Sequence, residues 1–440
     1  MIDFENRGVF FEDVHNSFKF CVLVIGSASR KFKEAQCAFF LHSVETLSDR
    51  ERAFTLTPSD FAKVNPNTGT APIFRTRRDA AITIGIYDRL PVLVDRRKAV
   101  PVAVFPVRYS TMFHMTNDSR LFVTKAELTK TAYPVAAGRW KRGAEEFVPL
   151  FVGRTIKQFD HRAASVLINE ENLHNAALSG DTTPQQHADP AFATTPQYWV
   201  SRGAVDWPGD MPAVIAFRDI ARPTDVRTMI STLVPFCGVG NTLPLILPDL
   251  PEKKAARAGA LADYQEALPL MVANLSATPF DYVARQKVQS THLNWYIVEQ
   301  LPVVPPTAYA RAFGPKTARD IVREEVLALT YTSHDMAPFA RDMGFIDPAT
   351  GDAKPPFVFD VADRLRRRAK LDALYFMLYF PSSTPADIAA LRETAEYIYS
   401  TFPIVAREEG AAHGRFLSRD LCLACINALA AGDPDAEIVL

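Results

Sequence analysis

Residues 18–41, FKFCVLVIGSASRKFKEAQCAFFL, contain the clearest strand signal of the chain. Phe18 to Ile25 form a continuous apolar run, which is typical of a strand covered on both faces. Gln36 to Leu41 are predicted to form its partner strand. The intervening GSASRKFKE is rich in glycine, serine and basic residues, which indicates a hairpin loop. A chain that opens on such a hairpin looks like the end of a larger domain.

Periodicity and capping signals predict alternating helices and strands beyond this hairpin. Asp60 lies in a Thr57-Pro58-Ser59-Asp60 cap that precedes a short helix. The further predicted elements are a helix over 76–90, a strand over 100–107, a strand over 213–217, a helix over 224–234 started by Pro223, a strand over 241–247 and a long helix over 252–274.

Apolar residues recur at three- and four-residue spacing over 316–330, 359–379, 385–402 and 415–431, which predicts a helical C-terminal region. The expected fold class is therefore α/β of the α+β type. Three domains are predicted: residues 1–55 as a β-hairpin that ends a larger domain, residues 56–306 as a mixed α/β domain, and residues 307–440 as the helical region.

Charge is distributed unevenly, although the net charge of the 440 residues is only −1. Residues 60–162 contain eighteen Lys and Arg against nine Asp and Glu, whereas residues 316–440 contain fourteen against nineteen. A basic segment joined to an acidic one is typical of a phosphate-facing surface carried by a supporting domain. An ordinary solvated surface explains the same counts equally well.

Cysteine usage and hydropathy indicate a cytoplasmic protein. The five cysteines are scattered and odd in number, which suits a reducing compartment better than a disulfide framework. No apolar run is long enough to span a membrane, and the acidic N-terminus lacks a signal-peptide pattern. Cys422 and Cys425 have metal-site spacing, but they stand in an apolar helix with no second pair, which favours packing over a metal site.

Seven segments together resemble one family, the large adenine-N6 DNA methyltransferases of type IIG restriction–modification and related phage-defence systems. The resemblance extends along the whole chain, in family order. The segments are FENRGVFFEDVHNSFKF, NPNTGTAPIFRTRRDAAITIGIYDRLPVL, FHMTNDSRLF, FVGRTIKQFDHRAAS, QYWVSR, AFRDIARPTDVRTMISTLVPFCGVGNTLPLI and FDYVARQKVQSTHLNWYIVEQLPVVPP. The resemblance implies the last strands of a methyltransferase core, a target-recognition domain and a helical tail.

Two motifs of that family are missing from the sequence. Neither the Gly-rich loop that holds S-adenosylmethionine nor an Asn-Pro-Pro-Tyr type motif occurs. Gly238-Val239-Gly240 is preceded by a Pro-Phe-Cys turn and followed by a predicted strand, the wrong context for a nucleotide fingerprint. The expectation is that a methyltransferase-core partner chain binds S-adenosylmethionine, while this chain holds no cofactor and no metal.

A base must leave the duplex before its amino group can be methylated, so the enzyme needs a flat apolar surface to hold it. The resemblance places Phe11 on the flipped adenine, with Phe10 as the nearest competitor. His15 and Lys19 flank this position and are candidate contacts to the DNA backbone. For all of them, a structural or solvated role is the alternative.

Three further groups are candidate DNA contacts. Arg75, Arg77 and Arg78 surround the start of a predicted helix and suit phosphate contact, with pairing to Asp79 as the alternative. Lys157, Gln158 and Arg162 could read bases or neutralise phosphates, or else belong to a buried Asp160–Arg162 network. Arg285, Gln286 and Lys287 could clamp the DNA backbone.

The function expected from these observations is the double-stranded-DNA-recognition half of a two-chain adenine-N6 methyltransferase, inactive without its partner. The alternative is a stand-alone DNA-binding or assembly subunit of a defence complex with no role in methylation. A degraded remnant of a fused enzyme is a third possibility. No nuclease motif of the Pro-Asp…Glu-x-Lys type is evident, so DNA cleavage by this chain alone is not expected.

Overall fold

The computed structural model describes residues 1–27, 29–167, 178–222, 225–288 and 291–439. The fold is α+β, with several small sheets and a helical C-terminal region. The chain forms two compact units: Met1–Val104 with Tyr296–Val303, and Phe105–Trp295 with Val304–Leu440. Within the described residues, no helix combines the length and the apolar character needed to cross a membrane.

The first unit contains two small sheets and two helices. Its strands are β1 (Ile2–Glu5), β2 (Lys19–Val22), β3 (Ala35–Leu41), β4 (Phe54–Leu56), β5 (Val94–Asp95) and β6 (Val102–Ala103). Its helices are α1 (Pro58–Val64) and α2 (Arg77–Arg89), and α7 (Trp295–Val298) lies at the boundary of the units. Thr57 and Thr76 each form a capping box, with Asp60 and Asp79 respectively, which confirms the two helix starts predicted from sequence.

The predicted hairpin between the two apolar segments is wrong. The main sheet of this unit has the order β2-β1-β3-β4, so β1 separates β2 from β3. Strand β1 pairs antiparallel with β2, with Phe4 opposite Phe20, and parallel with β3. The first residues of the chain are themselves extended and take the position next to β3 that the hairpin prediction gave to Phe18–Ile25.

Phe18–Ile25 is also not covered on both faces by the described part of the chain. Only Lys19–Val22 is a strand, and the large apolar residues Val22, Leu23, Val24 and Ile25 are exposed. The apolar core of the unit lies elsewhere, around Phe39, Phe54 and Phe74. The exposed apolar segment is thus the outer edge of the sheet.

The second unit begins with a mixed region of short strands. They are β7 (Val107–Ser110), β8 (Tyr133–Pro134), β9 (Trp140–Arg142), β10 (Glu145–Phe151), β11 (Ala164–Leu167), β12 (Leu178–Asp181), β13 (Trp199–Ser201), β14 (Val214–Phe217), β15 (Ser231–Val234), β16 (Gly238–Val239), β17 (Leu245–Pro248), β18 (Ala312–Phe313) and β19 (Lys316–Thr317). The central sheet has the order β15-β14-β17-β7, and β10 joins β13 and β9 in a second sheet.

Apart from the helix predicted over 224–234, the predicted helices of this unit are present, with some additions. They are α3 (Lys125–Thr131), α4 (Pro184–Ala188), α5 (Lys254–Ser276), α6 (Thr278–Lys287), α8 (Ala318–Thr330), α9 (Ala337–Asp342), α10 (Val361–Tyr379), α11 (Pro385–Ser400), α12 (Pro403–His413) and α13 (Leu417–Ala430). Cys422 and Cys425 are buried in α13, as packing residues.

The helix predicted over 224–234 is wrong. Pro223 and Thr224 lie outside the described residues, and Ser231–Val234 is the buried strand β15. The carboxylate of Asp281 accepts hydrogen bonds from the backbone N–H groups of Thr228 and Met229 at 2.9 and 2.6 Å. Because these N–H groups bond to a side chain, they are not available for helical hydrogen bonds. The strand predicted over 100–107 is likewise divided between β6 and β7.

The predicted boundaries after residues 55 and 306 do not coincide with the two units. Phe39 and Phe54 share one core with Val64 and Phe74, so no core ends near residue 55. Helix α10 packs on α6 as well as on α8, which unites the helical region with the preceding one. Within α10, Arg364 is buried and donates to the carbonyl oxygen of Phe159.

Candidate nucleic-acid interface

A loop between β1 and β2 carries Phe11, and the buried side chain of Asn6 holds this loop in place. Asn6 Nδ2 donates to the carbonyl oxygens of Phe11 and Val14 at 2.8 and 2.7 Å, and Oδ1 accepts from the Phe11 N–H at 2.9 Å. Gly8 turns the loop with a positive φ of 74°, a conformation that glycine adopts without strain. Asn6 therefore fixes the backbone on which Phe11 stands.

The ring of Phe11 is 51% exposed and rests on the edge of an aromatic cluster. Its centroid lies 5.2 Å from that of Phe20 in an edge-on arrangement, and Phe20 stacks on Phe4 at 5.2 Å. Phe10 packs against both of these rings and is less exposed than Phe11. Of the two candidates, Phe11 is therefore the more accessible to a ligand.

Lys19 and Arg75 meet on the ring of Phe40. The Lys19 Nζ and the Arg75 Cζ lie 4.4 and 4.6 Å from the ring centroid, within the range of cation–π attraction. Phe40 has a positive φ of 53°, at a point where the pairing of β1 with β3 changes register. Such a backbone costs on the order of 1–3 kcal/mol and is concentrated at functional sites. The bulge directs Phe40 toward two predicted phosphate contacts.

The two remaining arginines of the predicted group follow Arg75 in sequence. Arg77 and Arg78 open α2 directly after Arg75 and are exposed. Asp79, the alternative partner of these arginines, accepts hydrogen bonds from Thr76 in the capping box. His15 is exposed in the Phe11 loop, with Nδ1 2.8 Å from the Ser17 hydroxyl.

Arg162 is part of a buried network and is not exposed to DNA, since only 1% of its surface is accessible. Its guanidinium donates to the carbonyl oxygens of Asp189, Phe192 and Thr332 at 2.9, 3.0 and 2.9 Å. Its backbone N–H donates to Asp160 at 2.9 Å. Of the two sequence interpretations, the scaffold role fits Arg162. Lys157, in contrast, is exposed and pairs at 3.0 Å with the exposed Asp181.

Gln158 is half-buried, and its Nε2 donates to the carbonyl oxygen of Ser276 at 3.0 Å. The Arg285 guanidinium donates to the carbonyl oxygens of Asp225 and Val226 and lies over the ring of Phe402. Burial lowers the pKa of Lys287 to about 7. Gln286 and Lys287 are half-buried, as Arg285 is. None of the three residues of the predicted clamp is therefore fully exposed.

Asp335 and His161 extend the buried network around Arg162, with 3.0 Å between the carboxylate and the ring Nε2. Burial opposes ionisation of Asp335, but the charge and hydrogen bond of His161 and the hydrogen bond of Ser333 outweigh it and lower the Asp335 pKa to about 2. The ionised carboxyl of Asp335 stabilises the fold fully at pH values above the pKa of the group in the unfolded chain, which is about 4. The fold loses this stabilisation as the pH falls toward 2.

The dependence of the free energy of unfolding on pH in the acid range should therefore reveal the contribution of the Asp335 carboxylate to stability. We expect the wild-type free energy of unfolding to fall by about 2 kcal/mol more than that of Asp335→Asn between pH 4 and pH 2. Urea unfolding at several pH values measures this difference. Asp206→Asn, at an exposed carboxylate, serves as the control and should leave the wild-type slope unchanged. If the free energy of unfolding fell equally with pH in wild type and Asp335→Asn, the Asp335–His161 pair would contribute nothing to stability.

The structure thus brings together part of the predicted site. Phe11 and His15 share one loop, and Lys19 and Arg75 share one ring. Lys157, Gln158, Arg162 and residues 285–287 belong to the other unit. Sequence reasoning missed Asn6, Phe20 and Phe40, which position the candidates. The Asn-Arg-Gly turn at Asn6–Gly8 was the available signal for the first of these.

Gly238 and Gly240 serve packing in the second unit. A Cβ on Gly238 would lie 2.6 Å from Val200 Cγ2, and one on Gly240 would lie 2.8 Å from the Met115 sulfur. Gly238 lies in β16, which pairs with β10. These glycines therefore permit a close approach between strands and side chains.

Comparisons of this chain with protein-family models, with curated proteins and with solved structures find no match.

Proposed function

We propose that this chain is the DNA-recognition half of an adenine-N6 DNA methyltransferase of a restriction–modification or phage-defence system. It binds double-stranded DNA and holds the everted adenine, while a partner chain provides the methyltransferase core. The observation that carries this proposal is the half-exposed ring of Phe11, fixed by Asn6 and backed by Phe20.

An everted base needs a flat apolar surface that is held in a fixed position. The three Asn6 hydrogen bonds fix the Phe11 backbone, and the T-shaped contact with Phe20 restricts the movement of the Phe11 ring. Stacking of a base on an aromatic side chain is worth about 1–3 kcal/mol. The half-exposed ring of Phe11 can supply this energy to an adenine extruded from the duplex.

Cations of the first unit can hold the DNA backbone. Lys19 and Arg75 stand on Phe40, and Arg77 and Arg78 follow within one helical turn. Neutralising phosphates provides most of the non-specific affinity for DNA and positions the duplex. In this proposal, Lys19 and Arg75 hold phosphates of the bound duplex, and His15, in the loop that carries Phe11, donates to the DNA backbone.

S-adenosylmethionine bound by the partner chain supplies the methyl group. This chain's own residues bind the duplex, hold the base against Phe11 and keep it in a fixed position. The division of labour accounts for a sequence that has DNA-facing cations and an aromatic platform but neither a Gly-rich donor loop nor an Asn-Pro-Pro-Tyr type motif.

Duplex binding measured by fluorescence anisotropy tests the proposal. We expect the chain to bind DNA with an affinity that falls steeply between 50 and 200 mM salt. Lys19→Ala/Arg75→Ala should lower the salt slope by about 2 and weaken binding at every sequence. Lys254→Ala/Arg407→Ala removes one lysine and one arginine from exposed positions in the second unit and should leave binding unchanged. Equal slopes for both double variants would remove Lys19 and Arg75 from the interface.

A further inference from the structure

The outer edge of β2 is an exposed apolar surface of the first unit. In the described sheet, β2 is the terminal strand and pairs with β1 alone. The segment that continues it is strongly exposed, with Val24 and Ile25 at 77% and 79%. An apolar edge strand left in water is a template for adding another strand.

Both faces of this segment are apolar. Val22 and Val24 line a groove of about 830 Å³ together with Ile2, Phe32 and Phe61. Leu23 and Ile25 alternate with them and are exposed outside that groove. A strand with one apolar face fits a two-layer sheet, whereas a strand with two apolar faces fits the interior of an α/β sheet covered by helices on both sides.

The exposed area is a large part of what a stable interface needs. Val22 to Ile25 and Phe32 together expose on the order of 550 Å², divided between the two faces of the segment. A stable complex buries roughly 800 Å² on each partner, so these five residues alone account for about two thirds of such an interface. Lys33, Glu34 and Gln36 form part of the polar rim of the groove.

We propose that this edge is the docking surface for the sheet of an α/β partner chain, which adds a strand beside β2 and covers both of its faces. Under the proposed function, on which this inference rests, the partner is the methyltransferase core. Docking there would place the core next to the loop that carries Phe11, because that loop ends where β2 begins. The donor-binding chain would thereby reach the base held on Phe11.

The test uses the purified 440-residue chain and, as the probe, a methyltransferase-core polypeptide that carries an Asn-Pro-Pro-Tyr type motif, chosen from the products of the genes that neighbour this one. Association is measured by isothermal titration calorimetry without DNA and without S-adenosylmethionine. Val24→Lys places a charge in the groove, and Ile25→Lys places one on the opposite face. Each should weaken association at least tenfold. Val44→Lys, at an exposed valine outside the groove, is the control and should bind as wild type does.

Undiminished binding of both edge variants would overturn the proposal, as would a failure of the wild-type chain to bind the probe. If only Val24→Lys weakened association, the proposal that the partner covers both faces of the segment would be contradicted. Sedimentation of the chain alone should show a monomer, and a dimer abolished by Ile25→Lys would assign the edge to a second copy instead. Association is measured without DNA and S-adenosylmethionine, so its outcome does not depend on methylation. Normal association, combined with no methylation when both are added in a separate assay, would contradict the proposed function and leave the docking surface intact.

Discussion

Replacing Phe11 by alanine is expected to lower the methylation rate of the two-chain enzyme by about tenfold to a hundredfold, because the stacking energy of one base is about 1–3 kcal/mol. The fold should be nearly unaffected, since the ring is half-exposed and contacts Phe20 through an edge. Single-turnover methylation of a duplex by the reconstituted pair measures the rate, and urea unfolding measures the stability. Phe11→Tyr keeps the aromatic surface and should retain most of the activity.

Val9→Ala is the matched control, because Val9 is exposed in the same loop. Its methylation rate should equal that of wild type. A Phe11→Ala variant that methylates at the wild-type rate would eliminate the base platform. Equal losses in Phe11→Ala and Val9→Ala would instead point to a general disturbance of the loop.

Replacing Arg162 by methionine is expected to destabilise the second unit by about 3–5 kcal/mol. The change leaves the carbonyl oxygens of Asp189, Phe192 and Thr332 without their charged donor. It also removes the positive charge that faces Asp335 and Asp160. Unfolding in urea, followed by circular dichroism, measures the loss.

Lys157→Met is the comparison for this prediction, because Lys157 lies in the same segment and pairs with Asp181 at the surface. Exposed pairs contribute about 1 kcal/mol or less, so stability should change little. An Arg162→Met protein as stable as wild type, with weaker DNA binding, would reverse the assignment of Arg162 to the scaffold.

The fold class and most helices were predictable from sequence because their signals are local. Thr57 with Asp60 and Thr76 with Asp79 form the capping boxes, and the caps alone place the helix starts. The C-terminal helices follow from three- and four-residue apolar spacing. Strand pairing, in contrast, depends on partners distant in sequence. Ile2–Glu5 displaced the expected partner of β2, and no local pattern indicates that exchange.

Side-chain roles were less predictable than elements, since burial determines them. Arg75 and Arg162 have the same side chain, and the sequence does not distinguish their roles. Arg75 is exposed and lies over the ring of Phe40, whereas Arg162 is buried and donates to backbone carbonyl oxygens. The apolar run Val22–Ile25 is another case, because hydropathy alone predicts a covered strand, whereas the described residues leave this run exposed. The bulge at Phe40 has no sequence signal, since phenylalanine disfavours a positive φ.

The most direct measurement is the N6-methyladenine content of plasmid DNA, determined by mass spectrometry of the digested nucleosides, from cells that lack their own adenine methyltransferases. We expect methylation when this chain is expressed together with the Asn-Pro-Pro-Tyr-bearing polypeptide, and none when either is expressed alone. Methylation by this chain alone, or its absence from cells that express both, would contradict the division of the enzyme between two chains.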